Sequence, residues 1–150
     1  MSNDGNDVVR AALAPANETN TGSVAAGAAH VVTGLNVAYT DTLTIVWELV
    51  APNPLEVGEI VNAQHGARQV IPHDGLKPSS ALTGLILPEL STSGVASHTD
   101  GATTRVYIMN RYDTRGFTKV NLRLVNNATH TRTARIHVFR TRPSVTVSGS

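Results

Sequence analysis

The chain reads as a single all-β domain, an antiparallel β-sandwich or jelly-roll-like barrel preceded by an extended N-terminal arm. Three observations predict this. Of 150 residues, 42 are Val, Thr or Ile, against 2 Lys, 5 Glu and 2 Gln, and branching at Cβ suits a pleated surface better than a helix. Short apolar/polar alternations recur from residue 30 onward, separated by Gly, Pro, Asn and Asp. The polar surface is supplied by Thr, Ser and Asn, not by the long side chains that cover helices. A chain of this length buries roughly two thirds of its unfolded surface, so one hydrophobic core suffices.

Residues 1–29 read as a flexible arm and 30–150 as the domain. The arm's larger aliphatics are Val8, Val9, Leu13 and Val24, too few to offset the entropy of ordering. Within it, Asp7–Ala14 fits a helical turn or two, capped by Asp7 and ended by Pro15. Val31–Tyr39, interrupted by Gly34, and Thr42–Val50 then read as strands. The second places Leu43, Ile45, Trp47 and Leu49 on one face and Thr44, Val46, Glu48 and Val50 on the other, a central strand covered on both sides with Trp47 in the core. Pro52 and Pro54 end it. Shorter runs follow at Val57–Ala63 and Ala67–Ile71, closed by the turn Pro72–Gly75. Residues 72–102 are dense in Pro and Gly but keep Leu82, Leu85, Ile86, Leu87 and Leu90. They read as a long connection over the sheet, with a short strand near Leu82–Leu87. Thr103–Asn110, Phe117–Val125 and Thr131–Thr141 alternate most clearly. The last two, joined by Asn126–His130, predict an antiparallel hairpin with Val120, Leu122, Leu124, Ala134, Ile136 and Val138 inward. Ser144–Val147 reads as a final edge strand.

Net charge is only +1, yet it is unevenly placed. Residues 1–100 carry 3 basic and 10 acidic side chains, residues 101–150 carry 9 basic ones and Asp113 alone. Ten of the basic residues are Arg, whose planar fork suits bidentate carboxylate or phosphate contacts. Three arrangements accommodate the split: pairing within the molecule, head-to-tail association of a basic face with an acidic one, and nucleic-acid binding. Against the last, Tyr107, Tyr112, Phe117 and Phe139 are scattered and the arm's only basic residue is Arg10, so neither a stacking platform nor a polycationic tail is present.

The absence of cysteine excludes disulfides, zinc-thiolate sites and a cysteine nucleophile. No apolar run approaches the roughly 20 residues of a membrane helix, and Met1–Gly5 begins no signal peptide, so neither membrane contact nor export is expected. His98 and Asp100 come nearest to a metal-ligand pair, since i, i+2 spacing puts both on one strand face. Neither G-x-S-x-G nor G-x-x-x-x-G-K-[ST] occurs. Glu56 and Glu59 share one short segment, whereas a glycosidase pair comes from separate elements across a cleft. No catalytic, cofactor or metal residue is assigned, and the chain is expected not to be an enzyme.

The arm of residues 1–29, the β region of residues 103–141, the missing cysteine and the opposite-charge split resemble in style the small structural accessory proteins of tailed-phage virions, particularly capsid-decoration (cement) proteins. No motif carries the resemblance, so no family residue roles are transferred. It implies a non-enzymatic homo-oligomer, often a trimer, made in the host cytoplasm, bound to the major capsid protein or other virion proteins and stabilising the capsid. The contacts expected on that reading are Val8, Val9 and Leu13 of the arm and a basic face of Arg123, Arg132, Arg135 and Arg140. The alternative is a carbohydrate- or receptor-binding β-sandwich module, with its site around His98, Asp100 and Tyr107.

Overall fold

The computed structural model describes residues 14–51, 68–73 and 85–143. Within them run β1 (Asn17–Val24), β2 (Ala29–Asn36), β3 (Thr42–Ala51), β4 (Arg68–His73), β5 (Ser91–Thr92), β6 (Ala96–Asp100), β7 (Thr103–Asp113), β8 (Lys119–Val125) and β9 (Arg132–Thr141), with no helix among the described residues. One sheet has the order β1-β9-β3-β7, with β5 and β6 both pairing β7; the other has the order β2-β8-β4. All pairings are antiparallel. From β1 to β4, and again from β7 to β9, each strand lies in the sheet opposite its predecessor. That winding, with 1-9-3-7 facing 2-8-4, is the strand order of a jelly roll.

Alternation builds the core. Leu43, Ile45, Trp47, Leu49 and Ala51 of β3 are fully buried, as are Ala134 and Ile136 of β9 and Val120, Leu122 and Leu124 of β8. Each such large side chain contributes roughly 1.5–3 kcal/mol by leaving water. Strand β3 is central in its sheet, as expected, but only one face meets the core. On the other, Thr44, Val46 and Val50 are half-buried and Glu48 alone is covered.

The structure corrects three expectations about connectivity. Strands β8 and β9 do not form a hairpin: β8 pairs β2 and β4 in one sheet, and β9 pairs β1 and β3 in the other. The segment between them arches across the core, because Asn126 turns its amide inward to Val24 O (3.0 Å), Ala25 O (3.3 Å) and His130 O (2.9 Å). The arm expected through residue 29 is, over Asn17–Val24, an edge strand in register with β9 for eight residues. Residues 85–87 carry no strand, and residues 82–84 lie outside the described residues; Leu87 instead is buried against β4, with its N–H donating to Val70 O at 2.8 Å. The runs Val57–Ala63 and Ser144–Val147 also lie outside the described residues.

Strand β1 holds its place with almost no apolar side chains, through a close fit at Gly22. A Cβ there would lie 2.5 Å from the His30 ring, so a side chain at this position would displace the ring from β1. The ring then hydrogen-bonds Asn20 Oδ1 through Nε2 at 2.6 Å. Burial lowers the His30 pKa from its ordinary value. The unfolded chain therefore binds this proton more readily than the folded one, and stability present at neutral pH declines as pH falls through the ordinary histidine range near 6.5. Thermal melts at neutral and mildly acidic pH are expected to show that decline, and His30→Gln is expected to reduce it.

A polar chain runs from the core to its rim and links the sheets. Trp47 Nε1 and Arg68 Nε both donate to Asn110 Oδ1 at 2.9 Å, and Arg68 Nη2 meets Glu89 Oε1 at 3.2 Å. Glu89 Oε2 accepts from Thr92 Oγ1 at 2.7 Å, and Thr92 Oγ1 accepts from Asn110 Nδ2 at 2.9 Å. Beside it, burial first and the Glu89 charge second push the Tyr112 hydroxyl's pKa well above the usual phenol range. Replacing Asn110 with Leu leaves the indole N–H and the Arg68 Nε–H facing hydrocarbon. Urea unfolding of Asn110→Leu is expected to report a loss of about 3 kcal/mol or more.

Candidate functional site

The outer face of the larger sheet gathers a cluster of polar and charged side chains, because odd-numbered residues of β7 and β9 and even-numbered residues of β3 and β6 share it. At its centre is Glu48, 2% exposed, with Arg135 and Tyr107 as its register neighbours on β9 and β7. Its Oε1 accepts from His137 Nε2 at 2.6 Å. Its Oε2 has no hydrogen-bond partner and lies 3.6 Å from Arg135 Nη1 and 3.7 Å from Arg105 Nε. The other His137 nitrogen, Nδ1, is 2.9 Å from Thr19 Oγ1 on β1, so three adjacent strands are tied by one imidazole. A hydrogen bond from Arg105 to the Tyr107 oxygen, then the Tyr107, Glu48 and Asp100 charges, raises the Arg105 pKa from its ordinary value.

The cluster surrounds one buried carboxylate with two guanidiniums and an imidazole. The carboxylate is buried by its neighbours, while Arg105 and Arg135 keep 42% and 33% of their side chains exposed, enough for each to offer a guanidinium edge to an incoming carboxylate or phosphate. Strand β6 brings His98 opposite Arg105 and Asp100 opposite Thr103. The expected trio His98, Asp100 and Tyr107 therefore does share one sheet face. Among the described residues, no three His, Cys, Asp or Glu side chains are grouped as metal ligands.

The four arginines expected to form one basic face do not. Arg135 lies on the outer face of the larger sheet, and Arg123 on the outer face of the smaller one, in register with Val31 and Gln69. Arg132 and Arg140 are 1% and 7% exposed, because they share the inward phase of Ala134, Ile136 and Val138 at the two ends of β9. Arg140 uses its burial: Nε donates to Asn36 O at 2.8 Å, and Nη1 donates to Pro15 O at 2.7 Å and meets Glu18 Oε2 at 3.0 Å. It holds the entry to β1 against the exit of β2. Val8, Val9 and Leu13 lie outside the described residues. Glu48 itself was missed by the sequence reading, although a lone acid between apolar β-branched residues on a central strand was the available signal.

No family model matches this chain, and neither a curated protein nor a solved structure matches it.

Glu48→Gln keeps an acceptor for His137 but removes the negative charge facing Arg135. We expect a stability loss of about 1–2 kcal/mol in urea unfolding, below the 3–5 kcal/mol of a fully buried pair because the guanidinium reaches water.

Proposed function

We propose that this protein is a non-enzymatic structural subunit of a virion, of the decoration or cement type, which self-associates and reinforces a capsid lattice. The observation that carries this reading is the jelly-roll strand order, an architecture that recurs in capsid and lectin domains. Fold alone does not assign function, and the surface chemistry supplies the second support. Arg105 and Arg135 present partly exposed guanidiniums from a rigid sheet face, which suits carboxylate-bearing neighbours and fixes register more than it adds affinity. Strand β1 is an edge of the larger sheet, and its outer side is open to a neighbour.

The test is absolute mass by light scattering after size exclusion, at about 50 mM and about 500 mM salt, where screening of exposed charges differs several-fold in range. A trimer or larger assembly is expected at low salt, with mass lost at high salt if the guanidiniums carry the contact. A 15.8 kDa monomer at both salts would overturn self-association. Removing residues 1–13 tests the terminal segment without touching β1, whereas removal through residue 29 would strip the sheet of a paired strand.

A further inference from the structure

At the end of the sandwich away from Asn126, the β2–β3 connection (37–41) and the β7–β8 connection (114–118) enclose an open cleft of about 490 Å³ lined by Tyr39, Thr40, Asp41, Arg115, Phe117 and Thr118 among others. Tyr39 is out of keeping with its backbone. Thr40 N–H donates to Val37 O at 3.0 Å, closing a turn with Ala38 and Tyr39 at its centre. Tyr39 has φ of 60°, the only positive value at a non-glycine among the described residues. That position of a type II turn favours Gly or Asn. The ring is nevertheless 59% exposed, so core packing does not account for it.

The surroundings hold this conformation from several sides. Val37 N–H donates to Thr118 O at 2.9 Å, Thr114 N–H to Asp41 O at 3.0 Å, and Thr114 Oγ1 to Thr40 O at 2.9 Å. The Thr40 hydroxyl, buried in the cleft floor, has no hydrogen-bond partner. Backbone strain that the rest of the structure over-determines marks a position kept for something other than stability.

We propose that this cleft binds a neutral pyranoside, with Tyr39 as its stacking platform. The ring face takes the C–H face of the sugar, and a concave site needs only a few polar groups to orient it. Asp41 supplies a carboxylate acceptor for neighbouring hydroxyls, and its charge also acts on Arg115 across the cleft. Arg115 is already committed to Asp113, with Nε–Oδ1 of 3.0 Å and Nη2–Oδ2 of 2.8 Å, and this holds Asp113 down to about 2. The cleft thus has no uncompensated cation to select an acidic sugar. The inference does not depend on the virion reading, and it moves the saccharide site from the His98, Asp100 and Tyr107 face to the end of the sandwich.

The full chain is to be screened on a glycan array and by saturation-transfer NMR with methyl glycosides of common neutral hexoses, beside Tyr39→Asn, Asp41→Asn and His98→Ala. Asn tolerates the positive φ, so Tyr39→Asn is expected to melt no lower than the parent, or a few degrees higher, while losing binding by about tenfold or more. Asp41→Asn is expected to weaken binding, and His98→Ala to leave it unchanged. Silence across all neutral glycans, retention of sialylated or sulfated ones only, or undiminished binding by both Tyr39→Asn and Asp41→Asn would overturn the proposal.

Discussion

The backbone where the chain passes from one sheet to the other is the constraint on which the rest of this fold depends. A jelly roll sends the chain across its own core at nearly every turn, and each crossing leaves amides and carbonyls that no ladder can satisfy. Asn126 resolves two crossings at once. Its side-chain amide reaches Val24 O, Ala25 O and His130 O, its Oδ1 accepts from Ala128 N–H, and its own N–H and C=O pair with Ala28 and Gly27. The β1–β2 and β8–β9 connections are thereby one hydrogen-bonded unit. Each of these groups left unpaired in the interior would cost about 1–3 kcal/mol.

The same requirement explains where the charges went. Arg140 satisfies carbonyls at Pro15 and Asn36 and draws Glu18 to it. Glu48 lies against Arg105, Arg135 and His137. In both cases an acid from the first hundred residues meets bases from the last fifty, because β9 is inserted between β1 and β3 and β7 flanks β3 on its other side. The opposite-charge split along the sequence is therefore consumed in part within the molecule. Among the described residues, Arg105 and Arg135 on one outer face and Arg123 on the other still present partly exposed guanidiniums.

Which residues enter the core was legible in the sequence; which strands touch was not. Period-two alternation identified the inward sets of β3, β8 and β9, because that signal depends only on one strand and one apolar side. Extended two residues either way, the phase of Ala134, Ile136 and Val138 also places Arg132 and Arg140 inside, a reading that arginine's usual exposure discourages. The false hairpin arose because proximity in sequence is a prior on pairing and a crossing turn has no less Asn and Thr than a hairpin turn. Strand β1 carried no signal at all. Its inward residues Glu18, Asn20, Gly22 and Val24 include one aliphatic, and the space that holds it is shaped by a missing Cβ and a histidine from β2. The ionic centre at Glu48 was half legible, as a misplaced acid whose partners only the fold could name.

The two ends of the sandwich meet one requirement with different materials. Both must pin a pair of crossing connections, and both do so with a short set of backbone and side-chain hydrogen bonds. At the Asn126 end the β1–β2 connection, Ala25, Ala26, Gly27 and Ala28, offers only methyl groups and backbone, and the β8–β9 connection offers Asn126 as its pin. At the other end the corresponding positions carry Tyr39, Asp41, Arg115 and Phe117, one of them against its backbone preference. Turn geometry alone would have been served better by glycine there, as it is at Gly27 with φ of 76°. The elaborated end therefore exceeds what folding demands, and loops carried on a rigid scaffold are where such excess becomes recognition.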